Sequence, residues 1–181
     1  PVVKVFGGQT FKELASFFAS EESFRGGVEV AVGDLDGDGK AEVVTGTGAG
    51  GGPVVRVFRS DGSLTAGFAA YGTDFRGGVF VAAGDLDGDG RAEIITGAGA
   101  GGAAHVRVFS GTDLAERAGF LASDAASRGG VRVSVSDATG DGDPEVIATS
   151  DSGARAFDPL TGDLKLAMDD ADMFLSGVVV G

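Results

Sequence analysis

Three features of the 181-residue sequence predict an all-β protein assembled from repeated four-stranded antiparallel meanders. The first is composition: 34 glycines and 13 phenylalanines with a single tyrosine. Glycine is costly inside helices and cheap in turns, so this mixture reads as short strands joined by tight loops. The second is a repeat, since "GDLDGDGKAEVVTG" from Gly33 returns 51 residues later as "GDLDGDGRAEIITG" from Gly84, and again in altered form as "SDATGDGDPEVIAT" from Ser136. The third is that four strand signals, rich in β-branched residues and alternating in polarity, fall within each repeat between connections short enough for antiparallel neighbours.

Taken in chain order, residues 1–23 open with "PVVKVFGG" and hold the back half of a unit, its third and fourth strands, the third at Val2 to Phe6. Residues 24–74 form the first full unit, with strands expected at Val28 to Val32, Glu42 to Thr45, Val54 to Phe58 and Leu64 to Ala70. The acidic loop, the Gly-rich "GTGAGGGP" and the turn "RSDGS" connect them in that order. Residues 75–126 repeat the unit, and residues 127–173 repeat it without the Gly-rich linker. Residues 174–181, "FLSGVVVG", resemble the front of another unit, with a first strand at Val178 to Val180. A recurring four-stranded sheet of about 50 residues is the blade of a β-propeller, in which about 4–8 blades surround an axis. Three full units and two partial ones are few for a ring, so we expect a fragment of a larger propeller, or self-association of two copies to complete one.

The paired glycines at Gly26, Gly77 and Gly129 suit the crowded start of an innermost strand. Phe17, Phe68 and Phe120 each stand seven residues before Phe24, Phe75 and Ser127, as expected of rings packed between blades. Lys4, Arg56, Arg107 and Arg155 recur two residues before a Phe and read as structural pairings.

A net charge of −13 repels nucleic acid and anionic membranes, while 43% hydrophobic residues argue for a packed domain over disorder. No run nears the roughly 18 apolar residues of a bilayer span, so no membrane insertion is expected, and no stretch has the regions of a signal peptide. There is no cysteine, which removes disulfides, thiolate metal sites and cysteine nucleophiles. An extracellular protein of this kind needs another staple, and bound metal is one option.

The acidic loop supplies it. Counted from Asp34, carboxylates stand at positions 1, 3 and 5 (Asp34, Asp36, Asp38), Gly39 at 6, the Lys40 carbonyl at 7 and Glu42 at 9. The second loop repeats this with Asp85, Asp87, Asp89, Arg91 and Glu93. Carboxylates about 4 Å apart repel by roughly 4 kcal/mol per pair at an effective dielectric near 20, so the loop calls for a cation. All-oxygen, mostly anionic ligation favours Ca²⁺ over Mg²⁺, which retains its waters. An EF-hand needs a bidentate Glu at position 12 between helices, but Thr45 and Thr96 stand there, inside strands. Aspartate repeats of the thrombospondin type are cysteine-rich, unlike this chain.

The pattern resembles the FG-GAP repeat of integrin α-subunit propellers and of many bacterial cell-surface proteins, written D-x-D-x-D-G-x-x-[D/E] between the first two strands of a blade. The resemblance implies Ca²⁺ held by Asp34, Asp36, Asp38, the Lys40 carbonyl and Glu42, and by their counterparts from Asp85 to Glu93. The third loop departs from it: Asp137, Thr139, Asp141, Asp143 and Glu145 place a neutral hydroxyl at position 3 and Pro144 at position 8. Weaker binding is expected there.

Other motifs are set aside. Gly46, Gly48 and Gly51, like Gly97, Gly99 and Gly102, satisfy G-x-G-x-x-G, but a strand follows where a dinucleotide site needs a helix. His105, the one histidine, starts a third strand at a position that is Val54 in the preceding unit, and reads as a rim or partly buried residue. No nucleophile elbow or zinc-type histidine pair occurs, so no enzyme is expected. The functional expectation is a calcium-stabilised, non-catalytic scaffold for extracellular or cell-surface adhesion or interaction with a protein or glycan ligand, with adhesion and surface location implied by the resemblance. The alternative is a lectin-like propeller or the scaffold of a polysaccharide-degrading enzyme, although the chain has no tryptophan and one tyrosine, Tyr71, to stack on sugar.

Overall fold

The computed structural model describes residues 1–168. Fourteen strands and no helix are present among these residues. β1 (Val2–Phe6) and β2 (Glu13–Phe18) pair as a half-blade. The first full blade runs β3 (Val28–Gly33), β4 (Glu42–Thr47), β5 (Val54–Phe58) and β6 (Leu64–Ala69). The second runs β7 (Val79–Gly84), β8 (Glu93–Ala98), β9 (His105–Phe109) and β10 (Glu116–Leu121). The third runs β11 (Arg132–Ser136), β12 (Glu145–Ser150), β13 (Gly153–Phe157) and β14 (Leu164–Met168). In each full blade every strand pairs antiparallel with the next in sequence, so the expected meander is observed. The strand expected at Val178 to Val180 lies outside the described residues.

β3, β7 and β11 lie side by side as the innermost strands. The second strands β4 and β8 are buried at every position, because sheets cover both of their faces, whereas the outermost β6 and β10 alternate between exposed and half-buried residues. The core is therefore interlayer. One cluster joins Val44, Val55 and Val57 of the first blade to Val79, Ile94 and Phe109 of the second, and another joins Ile95, Val106 and Val108 to Val131, Val146 and Phe157 of the third.

The same three contacts recur at successive junctions. Phe17 meets Phe58, Phe68 meets Phe109 and Phe120 meets Phe157, with centroids 4.8, 4.7 and 5.0 Å apart. Arg56, Arg107 and Arg155 each donate to a carbonyl of the preceding sheet, those of Ala19, Ala70 and Ala122, at 3.2, 3.1 and 2.9 Å. Lys4 instead pairs within its own hairpin with Glu13, at 2.6 Å. Finally, a Cβ on Gly46 or Gly97 would lie 2.2 Å from the carbonyl oxygen of Val79 or Val131 in the next blade, a separation no side chain permits. These glycines of the G-x-G-x-x-G segments thus let neighbouring backbones touch.

The paired glycines fit the expected crowding in the first two units, where a Cβ on Gly26 or Gly77 would lie 2.2 Å from the Ala49 or Ala100 oxygen. Gly129 differs, with only the Asp151 side chain near it, at 3.5 Å, because the Gly-rich linker that crowds the others is missing from that unit.

Candidate metal centres

Each acidic loop joins the first two strands of its blade, so its ends are fixed by a paired ladder closed by Gly33 with Glu42 or Gly84 with Glu93. Within that frame the loops fold around their own carboxylates. Asp34 accepts the N–H groups of Gly37 and Asp38 on one oxygen, at 2.8 and 3.1 Å, and that of Gly39 on the other, at 2.8 Å. Asp85 accepts from Gly88 and Gly90 at 2.8 and 2.9 Å, and Asp137 from Gly140 and Gly142 at 2.6 and 3.0 Å. Positions 4 and 6 have positive φ, 78° and 83° at Gly37 and Gly39, which favours glycine. The glycine at position 4 recurs at Gly37, Gly88 and Gly140, a signal of this constraint that is visible in the sequence.

At position 9 the carboxylate turns inward. Glu42, Glu93 and Glu145 are buried, and each accepts from the backbone N–H at position 2, from Leu35 at 3.0 Å, Leu86 at 2.9 Å and Ala138 at 2.8 Å. Burial first, then the nearby Asp87, Asp89 and Asp85, push the Glu93 carboxyl above its ordinary value.

Carboxylate oxygens of Asp34, Asp36 and Glu42 lie within 4.8 Å of one another, as do those of Asp85, Asp87 and Glu93. At that spacing each pair of charges repels by about 3–4 kcal/mol at an effective dielectric near 20. Among the described residues no lysine or arginine forms an ion pair with any of these six carboxylates. The donor set therefore fits a hard cation.

Position 5 is arranged differently. Asp38 and Asp89 stand outside the two clusters and accept the N–H two residues on, from Lys40 and Arg91, both at 2.8 Å. Lys40 also approaches Asp38 with its ammonium group at 3.7 Å, while both side chains remain well exposed. In the third loop Asp141 likewise accepts from Asp143 N–H at 3.0 Å, and the Thr139 hydroxyl donates to Glu145 at 3.0 Å. That hydroxyl is occupied by the very carboxylate it would have to join as a ligand.

The profile of the FG-GAP-like repeat matches residues 34–96, beginning at the first carboxylate of the first loop and ending in the strand after the second. Residues 34–96 thus carry the FG-GAP-like repeat. No curated protein sequence matches the chain. Among solved structures, the chain is similar to the Bacillus licheniformis rhamnogalacturonan lyase PL11, at 20% identity and TM-score 0.57, over 76% of this chain and 32% of that one. It is also similar to the exotype rhamnogalacturonan lyase YesX, at 16% identity and TM-score 0.58, over 91% and 36%. Similarity to Chaetomium thermophilum Raptor, at 18% identity and TM-score 0.59, spans 94% of this chain and 15% of that one. These likenesses show a β-propeller-like fold, and the chain spans about a third of the length of the lyases.

Proposed function

We propose that this FG-GAP-like chain is a calcium-stabilised, non-catalytic propeller segment that serves as an extracellular or cell-surface scaffold for adhesion or interaction. The observation that carries the reading is the pair of carboxylate triads, each with one buried glutamate and no basic partner among the described residues. Asp34, Asp36 and Glu42 would hold one ion, with the Lys40 carbonyl and Asp38 completing the set; Asp85, Asp87, Glu93, the Arg91 carbonyl and Asp89 would hold the second. Asp137, Asp141, Glu145, Thr139 and the Asp143 carbonyl form the weaker third set. Bound cation supplies positive charge to hairpin loops that otherwise carry unbalanced carboxylates. The chain's own part is to hold the loop open for it: glycine amides fix the first aspartate, and the amide at position 2 fixes the buried glutamate.

Extracellular calcium modules bind at about 10⁻⁴ to 10⁻³ M. With a Kd of about 0.1 mM and about 1 mM Ca²⁺, each filled site stabilises the fold by roughly 1.4 kcal/mol, a sizeable share of a domain's total of about 5–15 kcal/mol. Titration calorimetry with Ca²⁺ tests the reading. Two to three sites in this range, with much weaker heats from Mg²⁺, are expected; no binding at millimolar Ca²⁺ would refute it.

A second reading is a carbohydrate-active propeller, favoured by the likeness to rhamnogalacturonan lyases over most of this chain. Against it, Tyr71 is turned inward, its hydroxyl donating to the His105 carbonyl at 2.8 Å, so the one tyrosine offers no free ring to a sugar. Binding on a glycan array, or turnover of a polysaccharide, would favour the second reading over the first.

A further inference from the structure

The first and second acidic loops are joined to each other, and the second and third are not. Asp34, position 1 of the first loop, accepts through its backbone carbonyl the N–H of Ala92, at 2.7 Å. Ala92 is position 8 of the second loop, between Arg91 and Glu93. The N–H of Ala92 belongs to the same peptide group as the carbonyl of Arg91. Among the described residues no peptide is cis, so this group directs its oxygen and its hydrogen in opposite directions. One rigid plane therefore has the position 7 oxygen of the second loop on one side and a hydrogen bond into the first loop on the other. Arg91 adds a side-chain link: its guanidinium donates to the Thr112 hydroxyl at 3.3 Å, which donates in turn to the Leu35 carbonyl of the first loop at 3.4 Å.

At the next junction every part of this link is replaced. Position 8 of the third loop is Pro144, which has no N–H to give. Position 7 is Asp143 where the second loop has Arg91, and the turn residue matching Thr112 is Leu160. No backbone bond reaches the Asp85 carbonyl from the third loop, and a cavity of about 530 Å³ lined by Asp85, Leu86, Gly142, Asp143, Pro144 and Leu160 separates the two.

We infer that the first two loops take up divalent cations as a coupled pair, while the third fills independently. The inference rests on the calcium reading above. Ligation of the Arg91 carbonyl polarises its peptide and strengthens the N–H that holds Asp34. Fixing that plane also restricts the backbone of Asp34, so the second ion meets a loop already ordered by the first. By linkage the effect is reciprocal, and couplings of this kind amount to about five-fold in affinity or more.

A Ca²⁺ titration of the whole chain, followed by the amide resonances of Gly39, Gly90 and Gly142, reads the three loops separately. In the unaltered protein the Gly39 and Gly90 curves should rise together with a Hill coefficient above 1, and the Gly142 curve should be hyperbolic. Asp36→Asn, which weakens the first loop, should raise the midpoint at Gly90 about five-fold and leave Gly142 in place. Ala92→Pro removes the hydrogen bond without changing charge, and should make both curves hyperbolic; if that variant does not fold, Asp36→Asn decides alone. Independent hyperbolic curves in the unaltered protein, or a Gly90 midpoint unmoved by Asp36→Asn, overturn the coupling while leaving calcium binding intact. Absence of any response to Ca²⁺ overturns both.

Discussion

The ring of Phe68, on the outermost strand of the first blade, lies against the ring of Phe109 in the second, with centroids 4.7 Å apart and planes tilted by 54°. Phe109 is buried and belongs to the core cluster that joins the two blades, with Phe68 packed against it. The fold is held blade to blade by such rings, since each blade alone has one sheet and no second layer on which to close.

Phe68→Ala should therefore destabilise the chain by about 2–4 kcal/mol, through lost burial and the lost ring pair. Phe11 is 82% exposed, and Phe11→Ala should change stability by less than about 0.5 kcal/mol. Urea unfolding of both variants at fixed Ca²⁺ separates the two roles.

Arg107 joins the same blades through polar contacts. Its guanidinium donates to the Ala70 carbonyl at 3.1 Å, approaches Glu116 at 3.5 Å and lies 5.5 Å from the centre of the Tyr71 ring. Arg107→Met keeps the stem and removes the charge-assisted bond, and should cost about 1.5–3 kcal/mol. A loss under about 0.5 kcal/mol in denaturant unfolding would show that the inter-blade bond is dispensable.

The blades and their spacing were legible because the repeat placed Phe17, Phe68 and Phe120, and Arg56, Arg107 and Arg155, at equivalent positions, and the structure places them in equivalent contacts. Two kinds of information were not legible. The first is the direction of a short side chain: Asp38 and Asp89 carry the right chemistry at position 5 yet stand outside the clusters, although Asp36 and Asp87 accept the amide two residues on in the same way from inside them. The second is what depends on neighbouring blades. Gly46 and Gly97 looked like part of a phosphate motif because the Val79 and Val131 carbonyls that crowd them come from 33 or 34 residues further along. The bond from Ala92 to Asp34 uses a backbone amide that every residue but proline has, so its one sequence signal is its loss at Pro144.

His105 stands where the preceding blade has Val54. Burial, and then the Arg107 charge, hold its imidazole below the usual value of 6.5, with Glu116 opposing them. Because the unfolded chain binds this proton more readily, the neutral histidine's contribution is present in full above about pH 6.5 and is lost as the pH falls from there through the lower folded-state value. The stability of His105→Val relative to the unaltered chain should accordingly improve between pH 7.5 and pH 5 at constant salt. A difference independent of pH over that interval would contradict this assignment.

The account's central claim is that the acidic loops are cation clips, and thermal unfolding tests it most directly. The chain should melt at its lowest temperature in excess chelator and gain roughly 10 °C in about 1 mM Ca²⁺, the shift expected if two to three sites add about 3–4 kcal/mol to a domain of this size. An equal concentration of Mg²⁺ should give little of that gain, and Glu93→Gln should remove part of it. Equal melting temperatures in chelator and Ca²⁺ would contradict the claim and leave the loops as solvated acidic turns.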